Sequence, residues 1–341
     1  MSACSGLGKV GLVGPGAVGG YYGGLLALGG ADLRFVFRST YEEVSRQGLA
    51  LVLRASGGER VPVRPLRAYR EAAEVGPCDW VIVAAKTTAN SRLREMLSPL
   101  VGENTRLLTL QNGMGNVERL AELFGTRRTI VGGLCFTCIN RTSATVVESI
   151  FPGYVQFGQL GSPLNEDARE VMSAFGEAGV DVREATSLDE ALWRKLCWNI
   201  PFNGLGVVGA AGLEAVLAGQ LDPGQPIGPC LATDALLDNG PWEQLVTELM
   251  NEVIATGRAL GHNLSPSLGE YQRNRTRVMK AYRASTPIDF ERGLPLELDA
   301  LFCLPLGQAQ AAGVETPRLA ALCDLLAQLD DERKDSGSDA A

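Results

Sequence analysis

The sequence predicts two domains: an N-terminal α/β domain built on a doubly wound parallel sheet, and an all-α C-terminal domain. Over the first half of the chain, short apolar runs that end in glycine or polar residues alternate with helical patterns, which is typical of a parallel sheet covered by helices. From about residue 188 the pattern changes to long helical segments. We therefore expect a Rossmann-type domain over residues 1–187 and a helical domain over residues 188–330. Residues 331–341 are charged and rich in small side chains, so we expect a disordered tail there.

Composition narrows the class of protein. A chain of 341 residues is long enough for about two domains with separate cores. Its 45% hydrophobic and 21% charged residues are ordinary for a soluble globular protein. No apolar run reaches the ~18 residues of a membrane span and no signal peptide opens the chain, so we expect a cytoplasmic protein without a membrane partner. The net charge of -8 argues against nucleic acid as the main partner.

The cysteines and the histidine limit the available chemistry. Eight cysteines are scattered through a chain without a secretory signal, so we expect buried thiols and no disulfide framework. Cys135 and Cys138 form a single C-x-x-C pair without a second pair or a histidine at zinc spacing, and we predict no metal site. The only histidine is His262, which follows Gly261, where a helix is expected to end. The chain is therefore poorly suited to chemistry that needs a histidine as acid or base.

A glycine-rich turn near the N-terminus predicts a dinucleotide site. An apolar strand over residues 10–13 is followed by Gly14, Gly16 and Gly19 at G-x-G-x-x-G spacing, and then by a helix of small and apolar residues. The three glycines suit a tight turn, close backbone approach to a pyrophosphate, and close packing of helix on strand. The start of the helix offers N–H groups and a positive dipole end to phosphates. The alternative is a glycine-rich turn without a ligand. We assign the cofactor-binding loop to Gly14, Pro15, Gly16, Ala17, Val18 and Gly19.

The end of the second predicted strand favours NADP over NAD. An acidic residue at this point ordinarily binds the ribose 2′-hydroxyl of NAD. Here the strand over residues 32–37 ends in Arg38, Ser39 and Thr40. A guanidinium with neighbouring hydroxyls can hold a 2′-phosphate, which a carboxylate would repel. The alternative is an ordinary surface arginine.

Two further strands end in polar residues. The apolar strand over residues 79–86 ends in Lys86, and the strand over residues 106–111 is followed by Asn112. Ligands of doubly wound sheets bind outside the carboxyl ends of the strands, so Arg38, Lys86 and Asn112 should share one crevice.

The remaining elements follow from hydrophobic periodicity. In the first domain the sequence predicts a helix at residues 41–47, strands at 49–53, 60–63, 128–137, 144–148 and 154–157, a helix at 167–178 and a strand at 180–183. In the second domain it predicts helices at residues 188–199, 242–260, 266–283, 296–312 and 317–329, with a loop-rich insertion at 209–240.

A polar stripe on the first helix of the second domain predicts a second functional site. Lys195, Asn199 and Asn203 are spaced four apart and therefore lie close to one helix face. Apolar and aromatic residues flank this stripe, which suggests that it meets a polar ligand. Pro201 lies within it and should kink the helix or loosen its hydrogen bonding. A solvated face with a chance pattern is the alternative.

With these segments the chain resembles the ketopantoate reductase (2-dehydropantoate 2-reductase) family. The resemblance covers residues 8 to about 320 in the family's order. It is carried by the glycine turn 14–19, Lys86, the Gln111–Asn112–Gly113 segment, the Lys195, Asn199 and Asn203 stripe, residues 285–289, and Pro295, Glu297 and Asp299.

The resemblance implies NADPH-dependent reduction of ketopantoate to D-pantoate, a step of pantothenate and coenzyme A biosynthesis. Lys195 would be the general acid, and Glu297 would complete the catalytic site, although Asp289 could take that place instead. Asn112, Asn199, Asn203 and Ser285 would bind the substrate. Hydride arrival leaves negative charge on the keto oxygen, and a lysine ammonium can supply the proton it needs.

The chain departs from the family pattern at three places. Leu296 replaces a threonine before Glu297, Thr286 replaces a methionine after Ser285, and the 209–240 insertion is longer than expected. These departures put the identity of the keto acid in doubt.

Alternative functions remain open at this level. One is an NADP-dependent reductase of another small 2-keto acid, and another is a non-catalytic NADP-binding regulator, which would not need Lys195, Asn203 and Glu297 together. Because Lys195 and the glycine turn belong to different domains, we expect the site in the cleft between them, with domain closure as a step. The sequence does not determine the oligomeric state, for which a homodimer is one candidate.

Overall fold

The chain divides into two compact units, Met1–Ala191 and Leu192–Ala341. The computed structural model describes residues 3–221 and 226–338. The boundary follows Ala191, four residues later than the predicted residue 187. The reason is that Leu188 packs on the first unit, where a Cβ added at Gly132 would stand 2.9 Å from the Leu188 side chain. Among the described residues no helix is both long and apolar enough to cross a membrane.

The first unit is an α/β structure. Its strands are β1 Lys9–Val13, β2 Asp32–Val36, β3 Ala50–Leu53, β4 Glu59–Pro62, β5 Arg67–Tyr69, β6 Cys78–Val83, β7 Val101–Thr109, β8 Ile130–Ser143, β9 Val146–Gln159 and β10 Asp181–Glu184. Its helices are α1 Ala3–Gly6, α2 Ala17–Leu28, α3 Tyr41–Gln47, α4 Ala72–Val75, α5 Leu93–Leu97, α6 Asn116–Phe124 and α7 Glu166–Glu177, with 3₁₀ turns at Arg54–Ser56 and Thr87–Arg92.

The sheet has the predicted doubly wound arrangement at its centre. Six neighbouring strands run parallel in the order β5-β2-β1-β6-β7-β8, and the order reverses between β1 and β6. In doubly wound sheets the point of reversal is where ligands bind, outside the carboxyl ends of the strands. Beyond β8 the sheet is mixed: β9 is antiparallel to β8, β3 and β10 pair parallel to β9, and β4 is antiparallel to β3. The predicted α/β class is confirmed, with antiparallel pairs added at one side.

One continuous strand replaces two predicted ones. Residues 146–148 of the first predicted strand and residues 154–157 of the second both belong to β9, whereas residues 144 and 145 form the turn that precedes it. Gly153 has a φ of +58° and passes so close to the carbonyl oxygen of Phe136 that a Cβ would not fit. The register of the two strands shifts between Phe136 and Cys138, so the pairing continues through an irregularity instead of ending.

The second unit is helical within the described residues. Its elements are the greater part of α8 Leu188–Val208, then α9 Leu213–Ala218, α10 Thr233–Leu236, α11 Pro241–Ala259, α12 Leu268–Arg277, α13 Ser285–Glu291, a π-helical turn Asp299–Cys303, α14 Leu304–Ala311 and α15 Pro317–Ser338. The predicted insertion contains only short helices, and its residues 222–225 lie outside the described part of the chain.

Helix α8 extends further than predicted and runs through Pro201 to Val208. Proline has no N–H, so the carbonyl of Cys197 lacks its usual donor, but the helix does not end. Tight packing holds the second half of α8: a Cβ added at Gly204 would stand 2.5 Å from Leu322 and 3.0 Å from Phe302.

Other helix boundaries in the second unit differ from expectation for local reasons. α12 ends at Arg277, and Lys280, between α12 and α13, adopts a φ of +54°, which is not helical. The predicted helix at residues 296–312 begins as the π-helical turn. The predicted tail from residue 331 is helical as far as Ser338, because α15 continues past the buried Asp330; residues 339–341 lie outside the described range.

Candidate active site

The glycine turn after β1 has the geometry that the three glycines predict. Gly14 has a φ of +81°, and a Cβ there would stand 2.3 Å from the backbone nitrogen of Ala85. A Cβ at Gly19 would stand 2.6 Å from the carbonyl oxygen of Gly14 and 2.8 Å from Ala84. At Gly16 the nearest atom would be 3.9 Å away, so this side of the turn is open. Gly14 and Gly19 serve the fold, whereas Gly16 leaves room for a ligand to approach the backbone.

Helix α2 begins directly after this turn. Gly16 occupies the N-cap position, and no side chain caps the helix. The first turn of α2 carries no acidic residue. The leading N–H groups of a helix have no partner within it, and they form a favourable environment for phosphate.

The strand that follows α2 ends at the predicted arginine. Arg38 lies two residues beyond the end of β2, and its side chain is exposed. It forms no hydrogen bond or ion pair with another described residue. An exposed guanidinium at this strand end can accept a phosphate.

Buried amides link the loops that follow β6 and β7. Gln111 Nε2 donates to Asn90 Oδ1 at 2.9 Å, and Asn90 Nδ2 donates to Asn116 Oδ1 at 3.2 Å. Asn116 Nδ2 in turn donates to the carbonyl oxygens of Asn112 at 3.0 Å and Gly113 at 3.2 Å. Gln111 is 5% exposed and Asn116 is 4% exposed, so little water competes for these bonds. The network fixes the backbone that carries Asn112.

Lys86 belongs to the same pair of loops. It is exposed and precedes the 3₁₀ turn Thr87–Arg92, in which Asn90 lies. The strands β2, β1, β6 and β7 are consecutive neighbours in the sheet and run parallel. Arg38, the glycine turn, Lys86 and Asn112 therefore follow the carboxyl ends of adjacent strands.

The polar stripe on α8 is buried in the second unit. Lys195 and Asn199 are each 7% exposed, and Asn203 is 2% exposed. The side chains of a solvated helix face would be exposed, so the alternative of a solvated face is wrong. Cys197 lies on the same helix, and burial raises the pKa of its thiol to about 12, which keeps it neutral.

Asn203 connects α8 to the start of α13. Its Oδ1 accepts hydrogen bonds from Ser285 Oγ at 3.3 Å and from the backbone N–H of Thr286 at 2.9 Å. The second bond satisfies an amide that α13 leaves without a partner of its own. The structure thus brings together two of the predicted substrate-binding residues, and it fixes the orientation of the Asn203 amide.

A second contact holds α8 against α12. Trp198 Nε1 donates to Thr276 Oγ1 at 2.9 Å, and the Trp198 ring lies 5.0 Å from that of Phe202. Gln272 Nε2 donates to the carbonyl oxygen of Arg194 at 3.4 Å. These bonds flank the polar stripe and restrict rotation of α8 about its axis.

The two candidate carboxylates are both buried in the second unit. Asp289 lies in α13 and is 8% exposed, and Glu297 precedes the π-helical turn and is 7% exposed. Burial therefore does not distinguish between them as the partner of Lys195, and the choice of Glu297 stays a prediction.

Comparison with known proteins bears on what these sites do. Family models described as ketopantoate reductase PanE/ApbA match residues 10–162 and, for the C-terminal part, residues 226–330. A 2-dehydropantoate 2-reductase of Nostoc is 35% identical over 327 residues, which is 94% of this chain and 95% of that protein. The chain belongs to the ketopantoate reductase family.

Solved structures agree with this membership. The 2-dehydropantoate 2-reductase of Geobacter metallireducens has a TM-score of 0.83 and 36% identity, covering 94% of this chain and 99% of that one. A D-mandelate dehydrogenase solved with NADH and anilino(oxo)acetate has a TM-score of 0.80 at 18% identity, covering 96% and 99% of the two chains. At that identity it shows only that the fold is shared.

Membership in the ketopantoate reductase family confirms several predictions. The family resemblance and the predicted fold class hold, and the protein is an oxidoreductase. The reductases of this family are NADP-dependent, so NADPH is confirmed as the family's cofactor. The roles of individual residues stay predictions.

The structure describes the surroundings of two of the three departures from the ketopantoate reductase pattern. Thr286 contacts Asn203 through its backbone N–H, which any residue except proline would supply. Leu296 is 5% exposed and lies beside Glu297 in the sequence, so an apolar side chain is buried where the family pattern has a hydroxyl.

Sequence reasoning missed the residues that support the site from a distance. Asn90 and Asn116 hold the loop of Asn112, and Arg141 contacts both the glycine turn and Thr40. The polar pair of Asn90 and Asn116 next to two predicted strand ends was the available signal. Arg141 lies near the end of a long strand, and no pattern in the sequence indicated its role.

The glycine turn generates a test that separates folding from binding. Gly14→Ala should lower the free energy of unfolding by about 1–3 kcal/mol, because its φ is positive and its Cβ meets backbone. Gly16→Ala should keep the stability but weaken NADPH binding about tenfold or more, because its Cβ projects into open space. Thermal unfolding and NADPH fluorescence titration measure the two effects. Equal loss of stability in both variants would contradict this assignment.

Proposed function

We propose that this protein reduces 2-dehydropantoate (ketopantoate) to D-pantoate with NADPH. The buried stripe of Lys195, Asn199 and Asn203, in a member of the ketopantoate reductase family, is the observation that carries the proposal. The reaction uses groups of both units. The first would hold the cofactor, and the second would hold the keto acid and supply a proton.

The glycine turn and Arg38 fit the cofactor. The open side of Gly16 and the uncapped start of α2 suit a pyrophosphate. Arg38 suits the 2′-phosphate, since it is exposed at the strand end where NAD-binding proteins ordinarily carry an acid. We assign contacts with the rest of the cofactor to Pro15, Ala17, Val18, Lys86 and Asn112.

Lys195 is proposed as the general acid. When bound, NADPH would supply a hydride to the keto carbon, which would leave negative charge on the keto oxygen. The Lys195 ammonium donates a proton to that oxygen, which completes the alcohol. In a buried setting the ammonium also stabilises the developing charge more strongly than it would in water. Glu297 is proposed to orient the ammonium.

Neutral polar groups are proposed to bind the keto acid. Asn199, Asn203 and Ser285 can donate hydrogen bonds to a carboxylate and a hydroxyl without bringing further charge into the site. Because Asn203 Oδ1 already accepts two hydrogen bonds, its amide NH₂ is directed elsewhere and is proposed to face the substrate. This pre-set orientation reduces the ordering needed on binding.

A second candidate is the reduction of another small 2-keto acid. The buried Leu296 favours it, since an apolar side chain stands where the family pattern has a threonine hydroxyl. A binding protein without turnover is the remaining alternative, and it would not require Lys195.

Turnover on a panel of keto acids tests the proposed function. NADPH oxidation should be fastest, in kcat/KM, with ketopantoate, and slower with pyruvate and 2-ketoisovalerate, which lack the hydroxyl that the amide groups would bind. A higher kcat/KM for one of the others would move the assignment to the second candidate. NADPH binding without turnover on any of them would indicate a regulator.

Arg38→Ala should discriminate between the two nicotinamide cofactors. Loss of a charge-assisted contact with the 2′-phosphate should weaken NADPH binding by about 1.5–3 kcal/mol and leave NADH binding nearly unchanged. Arg38→Lys retains the charge, so its affinity for NADPH should lie between those of the wild type and of Arg38→Ala. Titration of each variant with both cofactors measures the effect. Equal losses for NADPH and NADH would mean that Arg38 does not read the 2′-phosphate.

Lys195→Ala should act on the chemical step. Removal of a positioned acid should lower kcat by about 10² to 10⁴. The Kd of NADPH should change little, because the groups assigned to the cofactor belong to the first unit. Lys86→Ala is the matched control and should alter cofactor binding as well as turnover. Near-normal kcat in Lys195→Ala together with no activity in Lys86→Ala would move the acid to the end of β6.

A further inference from the structure

Arg141 joins two loops that are far apart in the sequence. It lies near the end of β8, and its Nη1 donates to the carbonyl oxygen of Pro15 at 3.1 Å, across 126 residues of chain. Its Nη2 donates to Thr40 Oγ1 at 3.0 Å, across 101 residues. Pro15 is part of the glycine turn, and Thr40 ends the turn that carries Arg38. One guanidinium therefore bridges the two loops that the cofactor's adenosine half would contact.

The position of Arg141 is itself fixed by the turn between β8 and β9. Its Nε donates to the carbonyl oxygen of Ser143 at 3.3 Å, and its Nη2 also donates to that of Ala144. The next residue, Thr145, accepts a hydrogen bond from the N–H of Ala50 at the start of β3. The guanidinium is thus attached to the sheet through the tight turn and is not a mobile surface group.

Arg141 carries a charge that no described carboxylate neutralises. It forms no ion pair with a described residue, and Glu43 is the acid that acts on it from a greater distance. Burial lowers the pKa of its guanidinium, which reflects a partly desolvated cation. A half-buried, unpaired cation is unfavourable unless an anion or several oxygen acceptors offset it.

We propose that Arg141 is a positioning residue for the NADPH cofactor. It sets the separation between the glycine turn and the turn of Arg38, and in this way presents Arg38 to the 2′-phosphate. This inference rests on the proposed use of NADPH but not on the identity of the keto acid.

The hydrogen bonds explain why Arg141 acts through other groups. A guanidinium has five N–H donors, and four oxygens already occupy those of Arg141. A direct bidentate contact with a phosphate would require it to release some of them. A lysine could not replace the arginine, since an ammonium on a flexible stem lacks the fixed fork that reaches both loops.

Arg128 provides a matched control just before the same strand. It precedes β8, is half-buried, and also braces backbone carbonyls: those of Phe124 at 2.9 Å, Gly102 at 3.2 Å and Thr105 at 2.7 Å. These partners lie at the amino end of β7 and the end of α6, whereas Arg141 lies at the other end of β8. Arg128→Met therefore removes hydrogen bonds from a guanidinium to backbone carbonyls, as Arg141→Met does, but at a distance from the proposed cofactor loops.

Titration of the free protein with NADPH and with NADH tests the inference without a keto acid. Arg141→Met should raise the Kd of NADPH about tenfold or more and that of NADH less, because two hydrogen bonds that align the loops are lost. Arg141→Lys should show a similar rise. Arg128→Met should leave both constants unchanged even where its unfolding temperature falls. At saturating NADPH, kcat of Arg141→Met should stay within about twofold of the wild type.

A double-mutant cycle distinguishes positioning from general damage. If Arg141 acts by presenting Arg38, then Arg141→Met should weaken NADPH binding much less in an Arg38→Ala background than in the wild type. Independent effects would multiply, and that result would contradict the proposal. Should Arg141→Met not fold, Thr40→Val removes a single contact of the brace and should raise the Kd of NADPH in the same direction.

The outcomes are separable from those of the proposed function. Wild-type Kd for NADPH in Arg141→Met, or full recovery in Arg141→Lys, would overturn the positioning role while the cofactor assignment stands. Failure of the wild-type protein to bind NADPH would instead overturn the proposed function.

Discussion

The approach of Gly14 to the backbone of Ala85 is the contact on which the ligand-binding edge of the first unit depends. A Cβ at Gly14 would stand 2.3 Å from the Ala85 nitrogen, so the turn after β1 lies directly on the end of β6. This is the place where the strand order reverses. Gly19, in the first turn of α2, adds a second constraint, since a Cβ there would stand 2.8 Å from Ala84. Because Gly14 faces backbone and Gly19 faces the Cβ of Ala84, the position of the turn depends on the absence of a side chain at these two glycines.

The two units solve the problem of polar recognition in different ways. The first offers mainly backbone N–H groups at the start of α2, whose direction follows from the course of the chain. The second offers side chains on α8, and their direction depends on contacts with other helices. Asn203 is held by α13, and Trp198 is held by α12. Substitutions in α12 or α13 should therefore reach the second site through Trp198 or Asn203.

Local patterns made much of the fold and of the candidate site predictable. The glycine turn and the stripe of Lys195, Asn199 and Asn203 are recognisable because strand ends and helix faces follow from short-range periodicity. The bridge from Arg141 to Pro15 spans 126 residues, and no periodicity encodes such a contact. The π-helical turn at Asp299–Cys303 and the union of two predicted strands in β9 depend on packing that a local pattern does not contain. Sequence therefore predicted the glycine turn and the polar stripe better than it predicted the contacts that hold them in place.

The pairing of β9 with three strands has a consequence for the order in which the first unit assembles. β9 pairs with β8 over most of its length, with β10 near its end and with β3 near its start. β3 precedes β9 in the chain by almost a hundred residues, and until β9 is present the hairpin of β3 and β4 has an unpaired edge. During synthesis on the ribosome the central parallel strands can form first, whereas this edge stays open until residues 146–149 have emerged. Contacts of such long sequence separation slow folding, and an open strand edge is where aggregation begins.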